Sequence, residues 1–98
     1  MLPTVVTVGC NKVRIESDPG LTDFGHWDYT TKIARIGRPA RGVELPLTVL
    51  HELLHAISDI HGIGLSENKV RALEQGISQA FRSNPKFARE WLDAILRK

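Results

Sequence analysis

The sequence LTVLHELLHAISDI, residues 47–60, predicts the helix around which the rest of the chain is built. Its apolar residues recur at helical spacing and share one half of the helix, whereas its histidines and acidic residues share the other half. The apolar half consists of Val49, Leu50, Leu53, Leu54, Ile57 and Ile60. Because proline suits the first turn of a helix, we expect the helix to begin near Pro46. The pattern predicts an amphipathic helix that packs on a core and leaves its polar half open.

The polar half of this helix carries a zinc-binding motif, His51-Glu52-Leu53-Leu54-His55, which matches H-E-x-x-H. Residues four apart on a helix project from one face, so His51 and His55 can bind the same zinc ion. Glu52 lies about 100° around the helix from His51, so its carboxylate can reach a bound water molecule instead of the metal. The motif therefore predicts a zinc site with Glu52 as the catalytic base.

A catalytic zinc ion usually takes three protein ligands, so the motif needs a further one. His61 has the spacing of the longer pattern H-E-x-x-H-x-x-G-x-x-H, but Ser58 stands where that pattern needs a glycine to turn the chain. In an unbroken helix His61 points about 120° away from His55. We therefore expect His61 to be a surface residue at the helix end.

Two glutamates of the next predicted helix, Glu67 and Glu74, are the remaining candidates for the third metal ligand. They are seven residues apart and share a helix face. A tight hairpin that pivots near residue 63 or 64 places Glu74 level with the two histidines. Glu67 would need an early end of the first helix or a strongly tilted helix pair. This reasoning favours Glu74 and keeps Glu67 as the alternative.

The segments on either side of the motif helix predict an α+β fold. Residues 5–16 and 24–36 are rich in β-branched residues and are broken by turn signals, which predicts an antiparallel β-meander of three to four strands with a bend at residues 28–31. Ser66 is a candidate N-cap for a second, antiparallel helix over residues 67–82. Asn84 and Pro85 then predict the cap and first residue of a short third helix.

The predicted third helix carries an apolar stripe formed by Phe87, Trp91 and Ile95. We expect this stripe to close the core. The alternative is that the helix covers the metal site as a latch, which would leave an enzyme latent.

Length and composition exclude several classes of protein. The chain has 98 residues, of which 42 % are hydrophobic, and its net charge is +2, which predicts a single small globular domain over residues 1–98. Its single cysteine, Cys10, forms no internal disulfide, and we find no targeting signal or membrane span, so we expect a cytoplasmic protein. The arginines at positions 35, 38 and 41 are treated as solvated surface, and nucleic-acid binding is not expected.

Residues 51–59, followed by a glycine-rich turn and a glutamate-bearing helix, resemble the gluzincin zinc metallopeptidases. The small size and the order of elements resemble the minigluzincins and the small phage-type proteins grouped with the ImmA/IrrE-like metallo-endopeptidases. The resemblance implies that His51 and His55 bind zinc, that Glu52 acts first as base and then as proton donor, and that a glutamate of the second helix completes the coordination.

The chain departs from the ImmA/IrrE-like pattern beyond its candidate ligands. In those relatives the ligand glutamate is usually followed, four residues later, by asparagine or aspartate. Here Ser78 follows Glu74 and Arg71 follows Glu67 at that spacing. The resemblance therefore leaves both glutamates open as the third ligand.

The expected reaction is zinc-dependent hydrolysis of a peptide bond in a peptide or protein substrate. The substrate could add as an extended strand along residues 24–28. Candidates for a second donor to the reacting carbonyl oxygen are His26, Tyr29 and Arg71. The alternative function is a non-catalytic, zinc-stabilised interaction or regulatory module that binds protein or nucleic acid.

Overall fold

A computed structural model describes residues 2–97 and contains four strands followed by three helices, which confirms the α+β class. The bounds of the elements are β1 (Thr4–Val8), β2 (Asn11–Asp18), β3 (Gly25–Asp28), β4 (Ile33–Gly37), α1 (Glu44–Ile60), α2 (Glu67–Ser83) and α3 (Pro85–Leu96). No helix within residues 2–97 is long and apolar enough to cross a membrane.

The sheet has the strand order β1-β2-β4-β3 and is mixed, so the purely antiparallel meander was wrong in this respect. β1 with β2 and β3 with β4 form antiparallel pairs, but β2 and β4 run parallel, with Ile15 opposite Ala34. The segment 19–24 carries the chain to the edge of the sheet, and β4 then returns between β3 and β2. Residue patterns along one strand report which face is buried and do not report which strand lies alongside.

The core lies between the two central strands and one side of α1. β2 contributes Val13 and Ile15, β4 contributes Ala34 and Ile36, and α1 contributes Ala56. The α1 residues that pack around this cluster are Leu45, Val49, Leu53 and Ile60. Because α1 presents this side to the sheet, its histidines lie along the flank that meets α2 and β3.

Local turn and cap signals are largely confirmed. The Asp28 carboxylate accepts a hydrogen bond from the Thr30 backbone N–H at 2.9 Å, which forms the expected β3–β4 bend. Ser66 caps α2 by accepting a hydrogen bond from the Lys69 backbone N–H at 3.3 Å. Asn84 and Pro85 are the N-cap and first residue of α3 as predicted, but the Asn84 side chain makes no cap hydrogen bond and donates instead to the Ala80 carbonyl at the end of α2.

α3 packs on α2 and does not close the core, so that prediction was wrong. None of its described residues is buried, and Trp91 remains 44 % exposed although its ring lies 5.5 Å from that of Phe81. The central cluster is completed by residues of the sheet and α1. A short apolar stripe predicts that a helix packs against something, but it does not identify the neighbour.

Candidate metal centre

His51 and His55 lie one helical turn apart on α1, and their ring centroids are 5.0 Å apart. Both Nε2 atoms face the carboxylate of Glu67, the first residue of α2. His51 Nε2 lies 2.8 Å from Glu67 Oε1, and His55 Nε2 lies 2.7 Å from Glu67 Oε2. The second helix therefore begins directly above the histidine pair of the first.

These three side chains form a cluster able to hold a metal ion, because one ligand atom from each lies within 4.8 Å of the others. Tetrahedral coordination with bonds of about 2.1 Å separates ligand atoms by about 3.4 Å. The two imidazole-to-carboxylate distances are shorter than this, so small outward movements of the exposed Glu67 side chain are enough to admit an ion. Two histidines and one glutamate are a donor set typical of catalytic zinc, and the residues present fit that metal.

Glu74 lies on the other side of the His51 ring. Its Oε1 is 3.3 Å from His51 Nδ1, and it does not belong to the cluster that could hold the ion. The ranking of the two candidates is therefore reversed: Glu67 completes the cluster, and Glu74 contacts His51, one of the candidate ligands. A carboxylate on the second ring nitrogen orients the imidazole and raises its basicity as a metal ligand.

The connection between α1 and α2 explains why Glu67 reaches the histidines. It spans residues 61–66 and is held by Ser58, which is 1 % exposed. Ser58 Oγ accepts a hydrogen bond from the Leu65 backbone N–H at 2.8 Å, and the Ser58 carbonyl accepts one from the Ile63 N–H at 2.8 Å. A tight helical hairpin would have placed Glu74 level with the histidines. The loop held by Ser58 instead brings the first turn of α2, and with it Glu67, next to His51 and His55.

Ser58 was not identified from the sequence as a residue that supports the site. The available signal was a small hydroxyl residue at the end of a helix, shortly before a pair of glycines. Gly62 and Gly64 adopt φ angles of +66° and +74°, which a residue with a side chain rarely adopts, so they suit the turns of this loop.

Glu52 is a buried carboxylate beside the cluster, with only 5 % of its surface exposed. Burial raises the pKa of Glu52 to about 7; the charge of His51 opposes this shift and the charge of Glu67 adds to it. A carboxyl group with a pKa near neutrality can both take up and release a proton at physiological pH, as a general base and acid must.

Gly25, the first residue of β3, lies directly over Glu52. A Cβ atom placed on Gly25 would come within 2.6 Å of Glu52 Oε2 and 2.8 Å of Thr48 Cγ2. The close approach of β3 to α1 therefore requires glycine at this position. Sequence reasoning noted Gly25 only as part of a strand.

Arg71 adds a positive charge next to the cluster. Its Nη2 lies 3.4 Å from Glu67 Oε1. Partial burial raises the pKa of Glu67, but hydrogen bonds and charges of His55 and His51 outweigh this effect, so the net pKa is lowered. Glu67 is thus held in the ionised form that a metal ligand needs.

The other candidates from the sequence differ in position. His26 is exposed and lines a cavity beside His55. Tyr29 lies outside both cavities of the site, where its ring contacts the Lys32 ammonium group at 3.7 Å. His61 forms the exposed end of α1, as expected for a surface histidine.

A groove runs between β3 and the α1–α2 pair and consists of two cavities that share Gly25, His51, Glu52 and Glu67. The first, which we name the Glu44 cavity, has a volume of about 420 Å³ and is lined further by Asp23, Phe24, Glu44, Leu47, Thr48, Arg71 and Glu74. The second, the His26 cavity, has a volume of about 240 Å³ and is lined further by His26, Trp27 and His55. The described part of α3 lines neither cavity, so this helix does not cover the site.

Comparisons with known protein families, with curated proteins and with solved structures found no match to this chain.

Proposed function

We propose that this protein is a zinc-dependent metallopeptidase that hydrolyses a peptide bond in the groove between β3 and α1. The observation that carries this proposal is the convergence of His51, His55 and Glu67 next to the buried carboxylate of Glu52. A purely structural zinc site is usually closed by four protein ligands and needs no adjacent base. Three ligands, an open groove and a buried base together favour hydrolysis.

The roles of the side chains follow from their positions. A bound zinc ion would supply Lewis acidity, which lowers the pKa of a coordinated water molecule and polarises the carbonyl of the substrate. Glu52 takes a proton from the attacking water and later delivers it to the departing amine. Arg71 lines one cavity of the groove and His26 lines the other, and they are the two remaining candidates for a donor to the carbonyl oxygen.

The substrate is proposed to bind in an extended conformation along β3. β3 pairs with β4 on one side only, so its other edge has backbone groups that a peptide can pair with. Gly25 and Trp27 of this strand line the groove. An extended peptide in this position would cross the metal cluster.

A zinc site formed by two histidines of H-E-x-x-H and a glutamate of the following helix supports placing the protein among the gluzincin-type peptidases. In the ImmA/IrrE-like pattern, an asparagine or aspartate follows the ligand glutamate after four residues, and this chain differs. Arg71 occupies the position four residues after Glu67, and Glu74, one turn further, contacts His51. We propose that Glu74 takes over the orienting role.

The metal centre is tested by zinc content after reconstitution of the wild-type, Glu67→Ala and Glu74→Ala proteins. We expect about one zinc per chain in the wild type and loss of zinc in Glu67→Ala. Glu74→Ala should keep the site with an affinity about 10–100-fold lower, because it removes a contact to a ligand and leaves all three ligands in place. Zinc loss in Glu74→Ala alone would show that the ligand assignment is wrong.

Hydrolysis is tested with unstructured protein substrates and peptide mixtures analysed by mass spectrometry. The matched control is Glu52→Gln, which should bind zinc as the wild type does and lose cleavage. Cleavage by Glu52→Gln at the wild-type rate would contradict the mechanism. Stoichiometric zinc with no cleavage by either protein would instead favour a zinc-stabilised interaction module.

A further inference from the structure

The Glu44 cavity is strongly acidic, whereas the chain as a whole is slightly basic. The chain has 13 Lys+Arg and 11 Asp+Glu residues. This one cavity is lined by five of the acidic residues, Asp23, Glu44, Glu52, Glu67 and Glu74, and by a single basic residue, Arg71. A cleft that concentrates one sign of charge attracts ligands of the opposite sign.

Not all of this charge is needed by the metal centre. Glu67 is a candidate ligand and Glu74 contacts His51, and Arg71 pairs with Glu67. Glu44 and Asp23, in contrast, form no ion pair with any side chain of residues 2–97. Two carboxylates of this cavity therefore remain without an ion pair to the described residues.

A buried and unpartnered carboxylate also points into this cavity. Glu52 is 5 % exposed, and neither a hydrogen bond nor an ion pair to residues 2–97 satisfies it. Its carboxylate oxygens still reach the cavity, because no side-chain oxygen or nitrogen of residues 2–97 is both fully buried and without a hydrogen-bond partner. A ligand or solvent in the cavity can therefore donate hydrogen bonds to Glu52, which indicates that the cavity is open to a substrate.

The position of Glu44 sets the distance from the metal cluster. Glu44 precedes His51 by seven residues on α1, which places both on one face and about 10 Å apart along the helix axis. An extended chain advances about 3.3 Å per residue. Glu44 is therefore reached by a long side chain from a residue close to the cleaved bond.

The walls between the metal cluster and Glu44 include two apolar side chains, Phe24 and Leu47. Lysine and arginine combine an aliphatic stem, which can lie along such walls, with a cationic end that needs carboxylates. A norleucine side chain would match the walls and leave the carboxylates unpaired, and a glutamate side chain would be repelled.

We propose that the Glu44 cavity binds a lysine or arginine side chain of the peptide substrate, with Glu44 and Asp23 as the residues that select it. This inference rests on the proposed hydrolysis and names the substrate class of the same site. The His26 cavity has no carboxylates besides the shared Glu52 and Glu67, so we expect the preference on one side of the cleaved bond.

The experiment uses short labelled peptides that are identical except at one position, which is lysine, norleucine or glutamate. The variable position is moved along both sides of the bond that the zinc-loaded protein cleaves, and kcat/KM is measured for each peptide. We expect lysine to exceed norleucine about fivefold or more at positions on one side only, and glutamate to be the poorest. Equal rates for the three peptides at every position would overturn the inference while leaving hydrolysis intact.

Variants of the cavity test the residues that we hold responsible. Glu44→Gln and Asp23→Asn should each reduce the lysine-to-norleucine ratio, and Glu44→Lys should invert the preference toward glutamate. The matched control is Glu90→Gln, which removes an exposed carboxylate from α3 and should leave the ratio as in the wild type. A ratio unchanged in both Glu44 variants would overturn the assignment of Glu44.

A binding measurement separates failure of this inference from failure of the proposed function. The same peptides are titrated against the Glu52→Gln protein, and fluorescence anisotropy reports binding without any cleavage. Tighter binding of the lysine peptide supports the cavity assignment, and equal binding of all three overturns it. Absence of cleavage by the wild type at every position would instead show that the proposed hydrolysis is wrong.

Discussion

β3 and α1 approach each other closely at Gly25 and Glu52. The strand that forms one wall of the groove lies so close to the buried carboxylate that no Cβ fits between them. Gly25 contributes to the burial of Glu52, and this burial is the main cause of its raised pKa. The absence of a side chain at Gly25 therefore allows β3 to lie against Glu52.

Replacing Gly25 by alanine should be destabilising. The added methyl group meets Glu52 Oε2 and Thr48, so β3 or Glu52 must move, at a cost of about 1–3 kcal/mol. Urea unfolding measures this cost, and peptide cleavage should fall more than zinc affinity does. The matched control is Gly76→Ala on α2, where the added Cβ meets nothing within 4 Å and should stabilise the helix by about 0.5–1 kcal/mol. A neutral effect of Gly25→Ala would contradict the close approach.

The pKa of Glu52 predicts how the stability of the metal-free protein depends on pH. Because the folded-state pKa is about 7 against an ordinary value of 4.5, the folded protein binds the proton more tightly than the unfolded chain. The free energy of unfolding should therefore fall as pH rises from about 4.5 to 7, by up to about 3 kcal/mol. The lowered pKa of Glu67 acts with the opposite sign and at lower pH.

Unfolding in urea and a chelator at a series of pH values measures this dependence. Glu52→Gln cannot ionise, so it should lose the decline and be more stable than the wild type at pH 8. Parallel pH profiles for the two proteins would show that Glu52 does not titrate in this range.

Among the helices and strands, the position of the first turn of α2 determines whether Glu67 reaches the two histidines. Glu67 is the first residue of this helix, so the metal cluster depends on where α2 begins. That point is held by the Ser66 cap and by the two hydrogen bonds that Ser58 makes with the connecting loop. The loop thus holds a candidate metal ligand in position without supplying one itself.

Ser58→Ala should weaken the metal site from a distance. It leaves the Leu65 N–H without its partner, which costs about 1–3 kcal/mol of stability. Because the loop then holds Glu67 less firmly, the zinc affinity should also fall, which competition with a chelating dye can measure. Ser83→Ala, at the exposed end of α2, is the control and should leave zinc affinity unchanged. Wild-type zinc affinity in Ser58→Ala would show that the loop does not position the ligand.

For the whole molecule, the sheet, α1 and α2 form the part that contains the site, and α3 is an addition to it. α3 contacts α2 alone among the helices and strands, and its apolar residues stay partly exposed. The metal cluster and both cavities are formed without it.

Truncation after Ser83 should therefore leave a folded protein that still binds one zinc ion. The loss of the Phe81–Trp91 contact should cost about 1–2 kcal/mol, which corresponds to a decrease in Tm of about 5–10 °C. Differential scanning calorimetry with zinc measures this decrease. The contrasting variant is Ile15→Ala, in the central cluster, which should cost about 2–5 kcal/mol. An unfolded truncated chain would show that α3 belongs to the core.

The amino-acid sequence by itself determined the elements and the chemistry that lies within one of them. His51, Glu52 and His55 share one helix, so helical geometry alone brings the two imidazoles together and separates the base from them. The turn at Asp28 and the cap at Ser66 are equally local, since each depends on a hydrogen bond that spans two or three residues.

Only the tertiary structure decided how separate elements meet. Four features depend on contacts between residues far apart in the chain. They are the parallel pairing of β2 with β4, the position of Glu67 instead of Glu74 beside the histidines, the approach of Gly25 to Glu52 and the exposed position of α3. The periodicity of a sequence shows which side of a helix or strand is apolar. It cannot distinguish Glu67 from Glu74, because both lie on the same face of α2. The structure of residues 61–66, pinned by Ser58, distinguishes them because it determines where the second helix begins relative to the first.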